Sequence, residues 1–132
     1  MKLYYKPGAC SLASHIILKE IGCDFEIESV DTDMQVTESG VDFTKINPKG
    51  YVPVLGTNEG QFLSEGAAVL QYLADQNPHA ELAPKPGTLE RAHLQEHLNF
   101  ISSELHKAFG PFFSQSASDE DKIIAKQNVK KK

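Results

Sequence analysis

The chain opens with short apolar runs set between turn residues, and only later acquires sustained helical spacing. Leu3 to Tyr5 reads as a short strand ended by Lys6-Pro7-Gly8. Ser11 is positioned to cap a helix from about Leu12 to Glu20, with Leu12 and Ile16 on one side, His15 and Ile17 flanking it, and Gly22 as its stop. Phe25, Ile27 and Ser29 alternate weakly with Glu26, Glu28 and Val30, which predicts a second strand. Strand, helix and strand in that order predict a right-handed βαβ unit with parallel pairing.

Asp31 to Asn47 is polar and predicts at most a short helix near Asp42 to Ile46. Tyr51-Val52-Pro53-Val54-Leu55 then surrounds a proline with apolar residues; a proline lacks the ladder N–H, so it belongs at the first residue of the strand. A cis Val52-Pro53 bond would turn the Val52 backbone outward. Glu59-Gly60 predicts a hairpin into Gln61-Phe62-Leu63, and Ser64 a cap for a helix beginning at Glu65-Gly66-Ala67. Its buried stripe would comprise Ala67 or Ala68, Leu70 or Gln71, and Leu73 or Ala74. These elements predict an α/β fold: a four-stranded mixed sheet with helices on both faces, in a thioredoxin-like layout.

The turn-rich stretch from Asn77-Pro78 to Pro84-Lys85-Pro86-Gly87 marks a domain boundary. We therefore divide the chain into residues 1–77, a linker at 78–87 and an all-helical part at 88–132. Thr88 caps a long amphipathic helix in which Leu94, Leu98, Ile101, Leu105 and Ala108 or Phe109 recur at spacings of three and four. Gly110-Pro111 breaks or kinks it. Asp119 to Lys132 predicts a further helix with few apolar positions and little to pack against. Two helices make no sizeable core alone, so either the first domain and a partner chain complete the burial or the chain is a shortened form of a longer protein.

Charge sharpens this division. Residues 1–80 carry eleven acidic and five basic groups, net −6, and residues 81–132 seven acidic and eight basic, net +1, summing to the chain's −5. That balance, and Arg91 as the sole arginine, disfavour a nucleic-acid binder. The apolar runs are too short to span a bilayer and the N-terminus shows no targeting core, so the expected location is the cytoplasm. Cys10 and Cys23 lack C-x-x-C spacing and exclude a disulfide-built architecture, leaving room for one reactive thiol.

Cys10 is the stronger candidate, because it follows the first strand and precedes a helix whose N-terminal N–H groups favour thiolate over thiol. Cys23 reads as structural. Ser64-Glu65-Gly66 places a hydroxyl, a carboxylate and close backbone at another helix N-terminus, where N–H groups suit an anion and Glu65 suits an ammonium. Tyr51-Val52-Pro53 adds a backbone edge able to pair with an extended peptide. Together these three features suit a small zwitterionic peptide. His93-x-x-Glu96-His97 matches a metallopeptidase pattern, but nothing else in the chain supplies a further ligand, and the histidines read as surface groups. Lys130-Lys131-Lys132 reads as a solvated terminus.

These same residues resemble the bacterial beta-class glutathione transferases. The resemblance runs through Met1-Lys2-Leu3-Tyr4-Tyr5, Cys10-Ser11-Leu12, His15, Thr37-Glu38-Ser39-Gly40, Ile46-Asn47-Pro48-Lys49-Gly50, Val52-Pro53-Val54-Leu55 and Glu65-Gly66. Beyond the linker it continues through Leu89-Glu90-Arg91, His93, Leu98-Asn99-Phe100 and Ser103-Glu104 with His106-Lys107. It implies a thioredoxin-like glutathione-binding domain followed by a truncated all-helical domain, a homodimer, and glutathione as cosubstrate with no metal. The implied activity is conjugation of the glutathione thiol to small hydrophobic electrophiles. Its alternatives are thiol-disulfide exchange through Cys10 and non-enzymatic ligand binding. By the same resemblance, Cys10, Ser11 and His106 border the thiol and Val52 pairs with the cysteinyl backbone across Pro53. Glu65 and Gly66 hold the γ-glutamyl end, with Glu104 approaching from the partner subunit. Lys107 borders the glycyl carboxylate, and Asn99 and Ser103 line the site. Gln35 departs from the family, which often has a lysine there near that carboxylate, and His97 stands at an aromatic position.

Overall fold

Leu3 and Tyr4 are adjacent in strand β1 (Lys2–Tyr5), so their side chains leave opposite faces of the sheet and each enters a separate core. The computed structural model describes residues 1–114 and 116–132. The chain forms two compact units, Met1–Pro84 and Lys85–Lys132.

In the first unit β1 is followed by α1 (Ser11–Ile21), β2 (Glu26–Asp31), β3 (Val36–Thr37), a 3-10 turn (Phe43–Lys45), β4 (Val54–Gly56), β5 (Phe62–Ser64) and α2 (Gly66–Gln76). The strands lie in the order β3-β2-β1-β4-β5. β1 pairs parallel to β2 with Leu3 opposite Ile27, as the βαβ reading requires, and the other pairs are antiparallel. The expected four-stranded sheet is present, and the two-residue β3 extends it along β2. So short an edge strand carries no alternation by which to be read.

One face of the sheet packs Leu3 and Leu55 against Leu18 of α1 and Val69 and Leu73 of α2. The other carries Tyr4, Val30, Val52 and Val54, covered by the fully buried Phe43 of the 3-10 turn. Both long helices therefore contribute to one core, and the expectation of helices on both faces is corrected: a single turn suffices on the second.

Helix α1 also rotates away from its expected orientation. Leu12 and Ile16 are 58% and 51% exposed, and Ser11, Ser14 and Leu18 are buried instead. Small side chains at 11 and 14 let the helix approach the sheet closely, which a pattern weighted toward large apolar residues does not register. Gly22 ends α1 as expected, at φ 72° with its N–H on the Lys19 carbonyl, a left-handed geometry that suits glycine. In α2 the buried positions are Val69, Leu73 and Ala74.

In the second unit, α3 (Leu89–Phe100) is capped as expected, Thr88 Oγ1 accepting from the Arg91 N–H at 3.2 Å. The long helix is interrupted by a π turn at Ile101–Leu105 before α4 (His106–Ala108). Ser102 and Ser103 donate their hydroxyls back to the carbonyls of Leu98 and Asn99, a bonding pattern that loosens a helix. Pro111 lies in the first turn of α5 (Gly110–Phe113), so the break falls where the sequence puts it. α6 (Asp119–Val129) opens with a reciprocal cap between Ser118 and Asp121 and leaves Ile123 and Ile124 exposed. No helix among the described residues is long and apolar enough to cross a membrane.

Glu28 on β2 accepts from the Ser39 hydroxyl at 2.5 Å and from Lys2 at 3.2 Å. The hydrogen bond from Ser39 above all, then that from Thr37, holds its carboxyl down at about 2, against an ordinary 4.5. A depressed folded-state pKa contributes stability above the unfolded value and loses it as pH falls toward the folded one. Glu28→Gln is accordingly expected to lower stability at pH 7. The gap to the parent protein should close between about pH 4.5 and about pH 2 in denaturant titrations, and a gap independent of pH would contradict this.

Candidate functional site

The strand register gathers three chain segments at one end of the sheet. β1 runs out there toward Lys6, with Tyr4 opposite Val54 of β4, and Val54 lies opposite Ser64 of β5. The residues beyond these pairs, Lys6 to Cys10, Val52-Pro53 and Glu65, are thereby brought to a common rim. Cys10 occupies the N-cap of α1 and is exposed, and its Sγ lies 3.6 Å from the Val52 carbonyl oxygen. The Val52-Pro53 bond is cis.

Ser11 is not the cap that its position suggested. It is the first residue of α1, fully buried, and its hydroxyl bonds the backbone N–H and carbonyl of Lys6 at 3.2 and 3.3 Å. It therefore pins the turn leading to Cys10. His15 packs between Tyr5, tilted to it at 6.2 Å between ring centroids, and Phe25, edge-to-face at 5.6 Å. Cys23 is half-buried beside the Leu3 core, in keeping with a structural role.

Ser64 likewise ends β5 rather than capping α2. Glu65 is the N-cap residue, held at φ 71°, a region costly for a side chain other than glycine's. This backbone presents its carboxylate to two groups that sequence reasoning had not singled out as chemistry. Lys49 Nζ donates to Glu65 Oε1 at 2.7 Å, and the Tyr51 hydroxyl donates to the same oxygen at 3.0 Å. Ser64 Oγ is 3.4 Å from Lys49 Nζ. The bond to Glu65 raises the pKa of both Lys49 and Tyr51, so both keep their protons. Gly66 follows, and Pro53 Cγ is 3.8 Å from where its Cβ would stand.

The turn carrying Lys49 is built by Asn47. Its Nδ2 donates to the Tyr51 carbonyl at 2.7 Å, its Oδ1 accepts from the Lys49 N–H and its carbonyl accepts from the Gly50 N–H. Gln35, where a ligand-binding lysine was the family expectation, acts as a strap: Nε2 donates to the carbonyls of Thr32 at 2.5 Å and Gly50 at 2.8 Å. Lys6 ties the same region to the first turn through Thr32 Oγ1 at 2.7 Å and Asp33 at 3.6 Å. The Asn47 and Gly50 spacing was the available signal for this turn; the strap had none.

The second unit carries the other predicted group. Asn99 lies in the last turn of α3, Ser103 and Glu104 lie in the π turn, and His106 and Lys107 begin α4; all five are exposed. Ser103 Oγ donates to the Asn99 carbonyl at 2.8 Å, and Glu104 pairs with Lys132, which lowers its pKa. Lys132 is thus engaged, contrary to a fully solvated terminus. His93 Nδ1 contacts Glu96 at 3.1 Å and His97 Nδ1 donates to the His93 carbonyl at 2.7 Å. The two imidazoles are thus engaged separately, and no metal-holding cluster occurs among the described residues.

A family profile described as the N-terminal domain of glutathione S-transferase matches residues 1–75. The chain belongs to the glutathione S-transferase family. It is 46% identical to glutathione S-transferase GstA of Escherichia coli O157:H7 over its whole length, and covers 66% of that protein. A sphingomonad glutathione S-transferase solved in complex with glutathione shares 50% identity at a TM-score of 0.96, over 99% of this chain and 65% of that one. A bacterial beta-class enzyme of Sphingomonas chungbukensis gives 50% identity and a TM-score of 0.97 with the same coverage. The chain thus spans just under two thirds of the length of these relatives, and its likeness is to the beta class.

Within this glutathione transferase fold, Gly50 has φ 73° and a Cβ added to it would lie 2.7 Å from Gln35 Oε1. Gly50→Ala is expected to cost about 1–2 kcal/mol in urea denaturation, from left-handed backbone and the clash together. In a Gln35→Ala background the cost should shrink without vanishing, because the backbone conformation remains. An equal cost in both backgrounds would exclude the steric part.

Proposed function

We propose that the chain binds glutathione along the rim formed by Cys10, Val52, Pro53, Glu65 and Gly66, and conjugates its thiol to small hydrophobic electrophiles. The observation that carries this reading is the approach of Cys10 Sγ to the Val52 carbonyl at 3.6 Å beside a cis Pro53, with Glu65 at the adjoining helix start. A backbone edge, a thiol and a carboxylate at one rim answer the peptide, sulfur and ammonium of glutathione in turn. The 50% identical sphingomonad relative, solved with bound glutathione, supports glutathione as the ligand.

Residues 1–77 form the glutathione-binding domain in this reading, 78–87 the linker and 88–132 part of a helical domain. Ser11 positions Cys10 by fixing the preceding turn. His106 borders the glutathione sulfur and Lys107 the glycyl carboxylate. Asn99 and Ser103 line the site, and Glu104 of the partner subunit approaches the γ-glutamyl end of a homodimer working in the cytoplasm. Donors near the glutathione sulfur raise its thiolate fraction, and the thiolate forms the C–S bond either by displacing a leaving group, which departs with its bonding electron pair, or by adding to an activated double bond, whose carbanion then takes a proton from solvent.

A second reading rests on the exposure of Cys10. Its thiolate would attack the glutathione sulfur of a mixed disulfide, releasing the other thiol and forming a Cys10–glutathione disulfide, which a glutathione thiolate then cleaves to return the Cys10 thiolate and leave glutathione disulfide. Calorimetry with glutathione tests the shared premise; a folded sample that takes up none at millimolar concentration overturns it. Given binding, Cys10→Ala is expected to abolish disulfide exchange and retain conjugation, followed by parallel assays with a chromogenic electrophile and a mixed disulfide. Equal loss of both activities would contradict separate roles, and binding with neither activity in the parent chain would leave ligand binding as the function.

A further inference from the structure

The cation paired with Glu65 at this rim is Lys49. Its place in the chain is fixed by the Asn47 turn and by the Gln35 strap on Gly50, so only the side chain is left to move. That side chain and Glu65 are 49% and 57% exposed and meet at 2.7 Å, and the Tyr51 hydroxyl shares the same carboxylate oxygen. An exposed ion pair of this kind is weak and readily exchanged. A strained backbone at Glu65 and a doubly tethered turn at Lys49 are costly ways to place a pair that contributes little to the fold. The arrangement suits a ligand that carries both charges itself.

Resting on the glutathione-binding reading above, we propose that Lys49 is a specificity-determining residue: the ligand's γ-glutamyl ammonium displaces Lys49 from Glu65, and Lys49 takes the neighbouring α-carboxylate. The lysine–glutamate pair is the charge-reversed counterpart of an α-amino acid, so one internal ion pair is replaced by two charge-assisted contacts to the ligand. The Tyr51 hydroxyl donates to the same Glu65 oxygen at 3.0 Å and remains as a partner for that carboxylate once Lys49 has moved. The N-terminus of α2, beginning at Gly66, adds a favourable field for the same carboxylate. The site would then select γ-glutamyl thiols that retain a free α-carboxylate.

The test compares Lys49→Gln and Lys49→Arg with the parent protein in calorimetric titrations at pH 7 and low salt. The probes are glutathione and 4-aminobutyryl-cysteinyl-glycine, which keeps the ammonium and lacks the α-carboxylate. Lys49→Gln is expected to bind glutathione about tenfold more weakly, the scale of one lost charge-assisted contact, and to bind the analogue within about twofold of the parent. Lys49→Arg should retain glutathione affinity within about threefold, and it carries the comparison should the glutamine variant fold poorly. Unchanged or tighter glutathione binding by Lys49→Gln would show that the pair merely competes with ligand and would overturn the proposal. So would an equal loss for both probes, or a tenfold loss in Lys49→Arg. If the parent protein binds no glutathione, the site reading itself fails, an outcome visible before any variant is made.

Discussion

The architecture of the first unit depends on the central position of β1. Four residues long, it has β2 parallel on one side and β4 antiparallel on the other, so its alternation must serve two cores at once. Leu3 meets α1 and α2, and Tyr4 meets Phe43 and the valines of the opposite face. The same pairings fix which chain ends emerge together. A parallel neighbour delivers the loop after β2 to the rim where β1 ends, and antiparallel neighbours deliver the start of β4 and the end of β5. Proximity of Cys10, Val52 and Glu65 is therefore a consequence of register, and the loops only refine it.

Much of this was legible in the amino-acid order. The βαβ unit, Pro53 at the head of its strand, the hairpin at Gly60 and the Gly22 stop all rest on local chemistry that short sequences express directly. The departures share a cause of another kind. Ser11 and Ser64 look like helix caps, yet one hydroxyl is drawn into the core by Lys6 and the other lies at a strand end, because tertiary partners outweighed local preference. The exposure of Leu12 and Ile16 follows from the close seating of Ser11 and Ser14, and side-chain size alone pointed the other way. At the candidate site, Cys10, Val52 and Glu65 could be read from their positions next to strand and helix ends. The Lys49 and Tyr51 contacts to Glu65 and the Gln35 strap could not, since they join residues fourteen to sixteen places apart through geometry set by the sheet.

The second unit shows the same limit within one helix. Apolar spacing runs unbroken from Leu94 to Leu105, and nothing in that spacing announces the π turn at Ile101–Leu105. The neighbouring serines, each returning its hydroxyl to a carbonyl of the preceding turn, are the local chemical correlate. Widening the helix there changes the angular offset of Ser103, Glu104, His106 and Lys107 from Asn99, so residues identified together in sequence need not share the face that an ideal helix would give them.

The strap from Gln35 to Gly50 also bears on how this sequence can drift. A side chain at 50 meets Gln35 Oε1, and any residue at 35 that lacks an amide surrenders the bonds to both the Thr32 and Gly50 carbonyls. Substitutions at the two positions are thus coupled through that contact. A lineage exchanging the glutamine for a ligand-facing lysine must find another way to tie its loops, and one that keeps the glutamine has committed position 35 to architecture and left recognition of charge to its neighbours.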